Sequence, residues 1–253
     1  MITAPVKLSR RLKAIADYIK NEEDIADIGT DHGYLPLYLI HKNPKRKVIF
    51  TDVNEGPLKK TQGIILKENP NADLTSFDIR AGDGLEPIDY GEVDTAVIAG
   101  MGGILIRDIL KKDGKKTRSI KKLILQPRTA ADKLRKWLVD QNYYIFDESL
   151  AYEKGRICEI ICVNQNENNE AKDDAIKQKD EFKDELDYEF SPILLKKHDK
   201  IISNWLKRSY DTELKIEKSI KLKGGEKAYE KLPEIERRIT KLEEILSEFT
   251  RKE

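Results

Sequence analysis

The residues best suited to chemistry lie in the run Asp27-Ile28-Gly29-Thr30-Asp31-His32-Gly33, between an apolar stretch and a helical pattern. Two glycines four apart let the backbone turn sharply and approach a ligand closely. A helix that starts there directs unpaired N–H groups at the same point. The turn also carries two carboxylates, Asp27 and Asp31. They repel phosphate and favour a cationic or hydroxyl-bearing ligand. This argues against a dinucleotide, whose fingerprint is G-x-G-x-x-G. S-adenosylmethionine has the fitting groups: an ammonium, a sulfonium, a ribose and no phosphate.

Four further clusters follow apolar runs. Asp52 comes about 20 residues after the glycine turn, where an acidic residue accepts hydrogen bonds from ribose hydroxyls. Asp83-Gly84, Ala99-Gly100-Met101-Gly102-Gly103 and Gln126-Pro127-Arg128 complete the set. Each is weak alone, because a lone Asp at a strand end is more often a helix cap and Asp83 can be a turn residue only. In a doubly wound sheet, however, all five fall at the carboxyl ends of strands, where ligands bind. The fourth cluster offers bare backbone and room for a planar group, without a side-chain amide or carboxylate to orient an amine.

The elements that must hold these residues alternate. The spacing of Leu8, Leu12, Ile15 and Ile19 predicts an amphipathic helix with Lys7 or Ser9 at its start. Strands are expected over 24–28, 47–51, 74–79, 93–98 and 122–125, with helices over 34–41, 57–68, 104–111 and 131–141. Two further strands, 143–150 and 156–163, read as a hairpin. Five parallel units closed by an antiparallel hairpin is not the layout of a dehydrogenase, which continues with parallel units. The expected fold class is therefore α/β, a Rossmann-like doubly wound sheet with an antiparallel hairpin in it, over residues 1–164. Residues 165–190 hold ten Asp/Glu against four Lys and read as an acidic linker or mobile segment. Residues 191–253 read as two helices broken at Gly224-Gly225, the second carrying Leu232, Ile235, Ile239, Leu242, Leu246 and Phe249 as a coiled-coil seam. The short turn between them favours an antiparallel hairpin within one chain, and so a monomer over a dimer.

The chain has 253 residues, 39% hydrophobic and 37% charged, with formal net charge +1. The totals say nothing about nucleic acid, but the distribution does. Residues 111–136 carry eleven Lys/Arg against Asp113 and Asp132, and the first helix adds five more cations against Asp17. Such clustering suits a polyanion, although lysine-rich surfaces also occur without a partner. No apolar signal region opens the sequence and no run reaches the length of a membrane span. Cys158 and Cys162 read as small buried residues in a reducing compartment, so a cytoplasmic location is expected. With only three scattered histidines, no metal site is expected.

The first motif resembles that of class I methyltransferases, with Asp31 where many members carry a glycine. Five segments together carry a closer resemblance: KLSRRL at 7–12, DIGTDHGYLP at 27–36, GDGL at 82–85, IAGMGG at 98–103 and LILQP at 123–127. In order, spacing and content they are similar to the bacterial tRNA adenine-22 N1-methyltransferases of the TrmK type, whose helical appendage the C-terminal hairpin also resembles. The resemblance implies methyl transfer from S-adenosylmethionine to N1 of an adenine in tRNA, by direct attack of the N1 lone pair. The adenine must be turned out of the RNA to be reached. It implies cofactor contacts from Asp27, Gly29, Thr30, Asp31, His32, Gly33, Asp52, Asp83, Gly84, Ala99 and Gly100. Asp31, Gly100, Met101, Gly102 and Arg128 are expected next to the reacting atoms, and Arg11, Gly103, Gln126, Pro127 and Arg128 around the target base. Two other readings stay open on the residues alone: a small-molecule methyltransferase with a dimerising helical tail, and a non-catalytic RNA-binding protein that keeps the fold.

Overall fold

The computed structural model describes residues 6–30, 32–165 and 169–252. Asp31, expected beside the cofactor, lies outside them. The chain divides into two compact units, Met1–Glu181 and Phe182–Glu253.

In the first unit, helix α1 (Arg10–Ala16) is capped by Ser9, whose hydroxyl accepts from the Leu12 amide. Strands β1 (Ile25–Ile28), β2 (Val48–Asp52) and β3 (Asp78–Ala81) are linked by helices α2 (Tyr34–Lys42) and α3 (Glu55–Glu68). Then come β4 (Thr95–Met101), α4 (Gly103–Lys112), α5 (Gly114–Ser119), β5 (Lys122–Pro127) and α6 (Ala131–Asp140). The hairpin β6 (Tyr144–Glu153) and β7 (Arg156–Asn164) completes a seven-stranded sheet of order β3-β2-β1-β4-β5-β7-β6. The first five strands are parallel and β7 runs antiparallel to both neighbours. The central strands are apolar on both faces, as a parallel sheet covered by helices requires: Ile25, Ile49, Phe50, Val97, Ile124 and Leu125 are fully buried. Chain order reverses between β1 and β4, which opens a crevice at their carboxyl ends.

Three expectations are corrected. Leu74–Ser76 is a 3-10 turn rather than strand, because Asp73 accepts from the Thr75 amide (2.9 Å) and hydroxyl (2.6 Å), and the strand begins at Asp78. The fourth strand does not stop before the glycine cluster. Ala99, Gly100 and Met101 belong to β4, with a register shift between Ala99 and Met101. The stretch 165–190 is no plain linker. Its helix α7 (Asn169–Lys179) packs on β6, where the Gln178 side chain donates to the Ile145 carbonyl (2.7 Å) and accepts from the Ile145 amide (3.0 Å). A side chain thus pairs backbone groups of the edge strand.

In the second unit, Asp184 caps a short 3-10 turn, and α8 (Pro192–Leu195) follows. The long helices α9 (Lys200–Lys223) and α11 (Leu232–Lys252) are joined through α10 (Glu226–Tyr229). They run antiparallel, since Tyr210 bonds Glu243 and Lys221 pairs with Glu236. The buried seam of α11 is Ile235, Ile239, Leu242, Ile245 and Phe249, with Ile245 in place of the expected Leu246. The acids of the preceding stretch serve this helix: Asp184 pairs with Arg237 (2.6 Å), Asp187 with Lys241 (2.8 Å) and Glu189 with Arg238.

Candidate functional site

A cleft of about 660 Å³ opens at the carboxyl ends of β1, β2, β4 and β5. Nine residues expected from sequence line it: Arg11, Gly29, Asp52, Ala99, Gly100, Met101, Gln126, Pro127 and Arg128. Gly29 has φ +76°, and a Cβ there would lie 2.1 Å from the Met101 terminal methyl, so glycine is what lets the thioether lie against the β1 turn. The loops after β4 and β5 are tied together. The Arg128 amide donates to the Met101 carbonyl (2.7 Å), and the Gly103 amide to the Thr129 carbonyl (2.8 Å). A Cβ on Gly103 would fall 2.3 Å from the Ala130 carbonyl oxygen, so this crossing admits only glycine. Ala130 itself sits in the left-handed region (φ 54°) to start α6.

Asp27 stands behind the cleft floor at the end of β1. Its carboxylate accepts from the Thr30 hydroxyl. Burial pushes its pKa up to about 6, although Thr30 and the Arg11 charge pull down; the Asp52 charge pushes further up. A carboxylate raised in this way is poised to be stabilised by an added cation. Asp52 accepts from the Asn54 amide (2.7 Å) at the β2 end.

On the other wall, the Arg11 guanidinium donates from Nε to Glu153 (2.9 Å) and from Nη1 to the Gln126 side-chain oxygen (3.0 Å). The Gln126 amide nitrogen donates in turn to the Pro127 carbonyl (2.8 Å), and the residue is only 2% exposed. Its amide is therefore held in one orientation. Burial works against the Glu153 carboxylate, but hydrogen bonds from Ser9 and Arg11 outweigh it and hold the pKa below the usual range. Burial pushes the Cys158 thiol up despite nearby arginines, which leaves it protonated rather than nucleophilic.

Other expected residues sit elsewhere. Thr30 is buried under Asp27, His32 stacks on Tyr34 (5.6 Å), Gly33 precedes α2, and Gly102 and Gly103 start α4 rather than line the cleft. Asp83 and Gly84 line a separate depression of about 240 Å³, where Lys112 pairs with Asp83 (2.8 Å) and Glu86 (2.7 Å). Sequence reasoning missed Glu153, Lys154, Arg156, Ile157 and Cys158, all on the cleft wall. The signal was present. Helix α6 returns the chain to the amino edge of the sheet, so β6 must run back up and its turn must arrive at the carboxyl edge.

The basic stretch 111–136 is also not what a charge count suggests. Arg135 is 1% exposed between Glu148 (2.7 Å) and Glu159 (2.8 Å), Lys122 pairs with Glu23 (2.6 Å), Lys121 with Asp94 (2.7 Å) and Lys136 with Asp140 (3.0 Å). Arg128, Lys154 and Arg156 stay exposed on the rim. Among the described residues no cluster of His, Cys, Asp or Glu is built to hold a metal ion.

A family model described as TrmK, tRNA (adenine(22)-N(1))-methyltransferase, matches residues 25–244. The chain belongs to the TrmK family. Within it, the tRNA (adenine(22)-N(1))-methyltransferase of Bacillus subtilis is 37% identical over 168 residues, 66% of this chain and 69% of that protein. The crystal structure of the B. subtilis TrmK m1A22 tRNA methyltransferase superposes with TM-score 0.77 at 31% identity, covering 95% of this chain and 99% of that one. A putative tRNA (m1A22) methyltransferase of Streptococcus pneumoniae, in complex with S-adenosyl-L-methionine, gives TM-score 0.74 at 26% identity, covering 95% and 100%. Membership of the TrmK family makes the chain a tRNA adenine N1-methyltransferase, and its Rossmann-like sheet is the methyltransferase fold of that family.

Proposed function

We propose that the cleft between β1 and β4 holds S-adenosylmethionine on the side of Asp27, Gly29 and Asp52, and the adenine at position 22 of tRNA on the side of Gln126, Pro127 and Arg128. The carrying observation is that Gly29 and Asp52 line one side of the cleft, with Asp27 two residues before Gly29 on β1, while Arg128, Lys154 and Arg156 form a cationic rim. The S. pneumoniae neighbour carries S-adenosyl-L-methionine, which supports the cofactor side. The residues fit that group. Asp27 would supply a counter-charge for the ammonium and Asp52 would accept from the ribose hydroxyls, at a turn where Gly29 keeps the backbone free of a side chain of its own. When bound, S-adenosylmethionine supplies an electrophilic methyl that the N1 lone pair takes in one displacement, moving positive charge from sulfur to the base with no proton to transfer.

The protein's own contribution is alignment and field. Gly100 and Ala99 leave the plane above β4 open for a flat base. Arg11, fixed by Glu153, holds Gln126 in one orientation, so its amide presents a fixed dipole to the base. No general base is needed, which is consistent with a protonated Cys158. Arg128, Lys154 and Arg156 would neutralise phosphates beside the extruded nucleotide. The seam of α9 and α11 is satisfied within one chain, which supports a monomer. No helix among the described residues is long and apolar enough to cross a membrane, and a tRNA-modifying enzyme works in the cytoplasm with its substrate.

Calorimetry and steady-state kinetics test the map together. Asp52→Ala is expected to weaken S-adenosylmethionine binding at least tenfold, as loss of a charge-assisted hydrogen bond of about 1.5–3 kcal/mol requires. Arg128→Ala is expected to leave that binding intact and lower kcat/KM for tRNA about tenfold or more. Cofactor affinity untouched in Asp52→Ala would contradict the map.

A further inference from the structure

Away from the cleft, helices α4, α5 and α6 enclose a groove of about 390 Å³, within the size range of small-ligand sites. Its lining includes Lys111, Lys115, Arg118, Trp137 and Tyr143. Arg118 is locked in place. Its guanidinium donates to the Gln141 carbonyl (2.8 Å) and lies 4.3 Å above the Tyr143 ring, which itself packs against Trp137 (5.4 Å). Lys111 and Lys115 are exposed and make no ion pair among the described residues, unlike Lys112, Lys121, Lys122 and Lys136 around them. Two carboxylates close to the groove residues in sequence are engaged. Asp113 accepts from the Lys116 amide (2.9 Å) and the Tyr90 hydroxyl (2.7 Å), and Asp140 pairs with Lys136. An aromatic ring and cations without ion pairs in the lining of one groove suit a base with its phosphate.

Helix α4 connects this groove to the catalytic cleft. It starts at Gly103, beside the cleft residue Met101, and Lys111 lies eight residues on, a rise of about 12 Å. One RNA can therefore reach both. Resting on the tRNA reading above, we propose that the groove of Lys111, Lys115, Arg118 and Trp137 captures a second nucleotide of the tRNA, outside the target, with its base over Trp137 and its phosphate between the lysines. The site anchors the substrate and takes no part in methyl transfer.

The test uses the double variant Lys111→Ala/Lys115→Ala in the full-length protein, with wild type in parallel. KM for tRNA is expected to rise about tenfold with kcat and S-adenosylmethionine affinity unchanged. The slope of log K against log[salt] for tRNA should become shallower by about 1.4–1.8, as loss of two phosphate contacts requires. In a Trp205→Phe background, tRNA should quench Trp137 emission, and the double variant should abolish the quench. Wild-type-like tRNA affinity and salt slope in the double variant would overturn the proposal. So would quenching by free AMP or UMP that needs the lysines while tRNA binding does not, because the groove would then be a mononucleotide site. Failure of the wild type to methylate tRNA at all would instead count against the tRNA reading, so the two failures are distinguishable.

Discussion

At the scale of single residues, Asp27 is a carboxylate that burial holds above its ordinary range. Its pKa of about 6 means that ionisation costs the folded chain about 3 kcal/mol relative to an ordinary carboxylate near pH 7. For a raised pKa, the stabilising contribution is present below about pH 4 and is lost as pH rises through about 6. Asp27→Asn is therefore expected to raise the melting temperature of the ligand-free protein at pH 8, with the advantage vanishing toward pH 4, while lowering S-adenosylmethionine affinity. In the wild type that affinity should fall by up to about tenfold per pH unit below 6, as the proton competes with the ammonium. Calorimetric titrations and thermal melts across pH 4.5–8 read both effects. A pH-independent affinity would detach Asp27 from the cofactor. The position of Asp27 was legible in the sequence because it stands with four further polar or glycine clusters, all at expected strand ends. The role of Glu153 was not, since its importance comes from a contact with Arg11 across 142 positions of chain.

At the scale of elements, the site depends on two loops that cross where only glycine fits. Gly103→Ala is expected to destabilise the protein by about 1–3 kcal/mol through overpacking against the Ala130 carbonyl. It should also lower kcat, because the same crossing fixes Met101 at the end of β4 and Arg128 just after β5; chemical denaturation and single-turnover rates measure the two. Most strands and helices were readable from apolar runs and helical spacing, because a parallel sheet buried on both faces leaves an unmistakable pattern in 25–28, 48–52 and 95–98. The 74–76 turn was misread because its local hydrogen bonds to Asp73 compete with strand formation. The extension of β4 from Ile98 through Met101 has no signature in composition, because Gly100 is accommodated by a register shift within the strand.

For the whole molecule, charge counting was the least dependable guide, since it cannot separate solvated charge from charge paired inside the fold. The acidic stretch before α8 supplies partners to α11, and Arg135 within the basic stretch is buried between Glu148 and Glu159. Arg135→Ala should cost about 3–5 kcal/mol of stability, as an orphaned buried charge pair requires. It should leave the salt slope of tRNA binding unchanged at a temperature where the variant is folded. A shallower slope would place Arg135 on the RNA surface after all. Within the second unit, Ile220 of α9 packs with Ile235 and Ile239 of α11 in one buried cluster.

The most direct measurement is methyl transfer itself. The protein would be incubated with methyl-labelled S-adenosylmethionine and unmodified bacterial tRNA, and the digested nucleosides read by mass spectrometry. The account predicts N1-methyladenosine that disappears when adenine 22 is replaced by guanosine. Methylation that persists in that substituted tRNA, or label on another atom of the base, would contradict it.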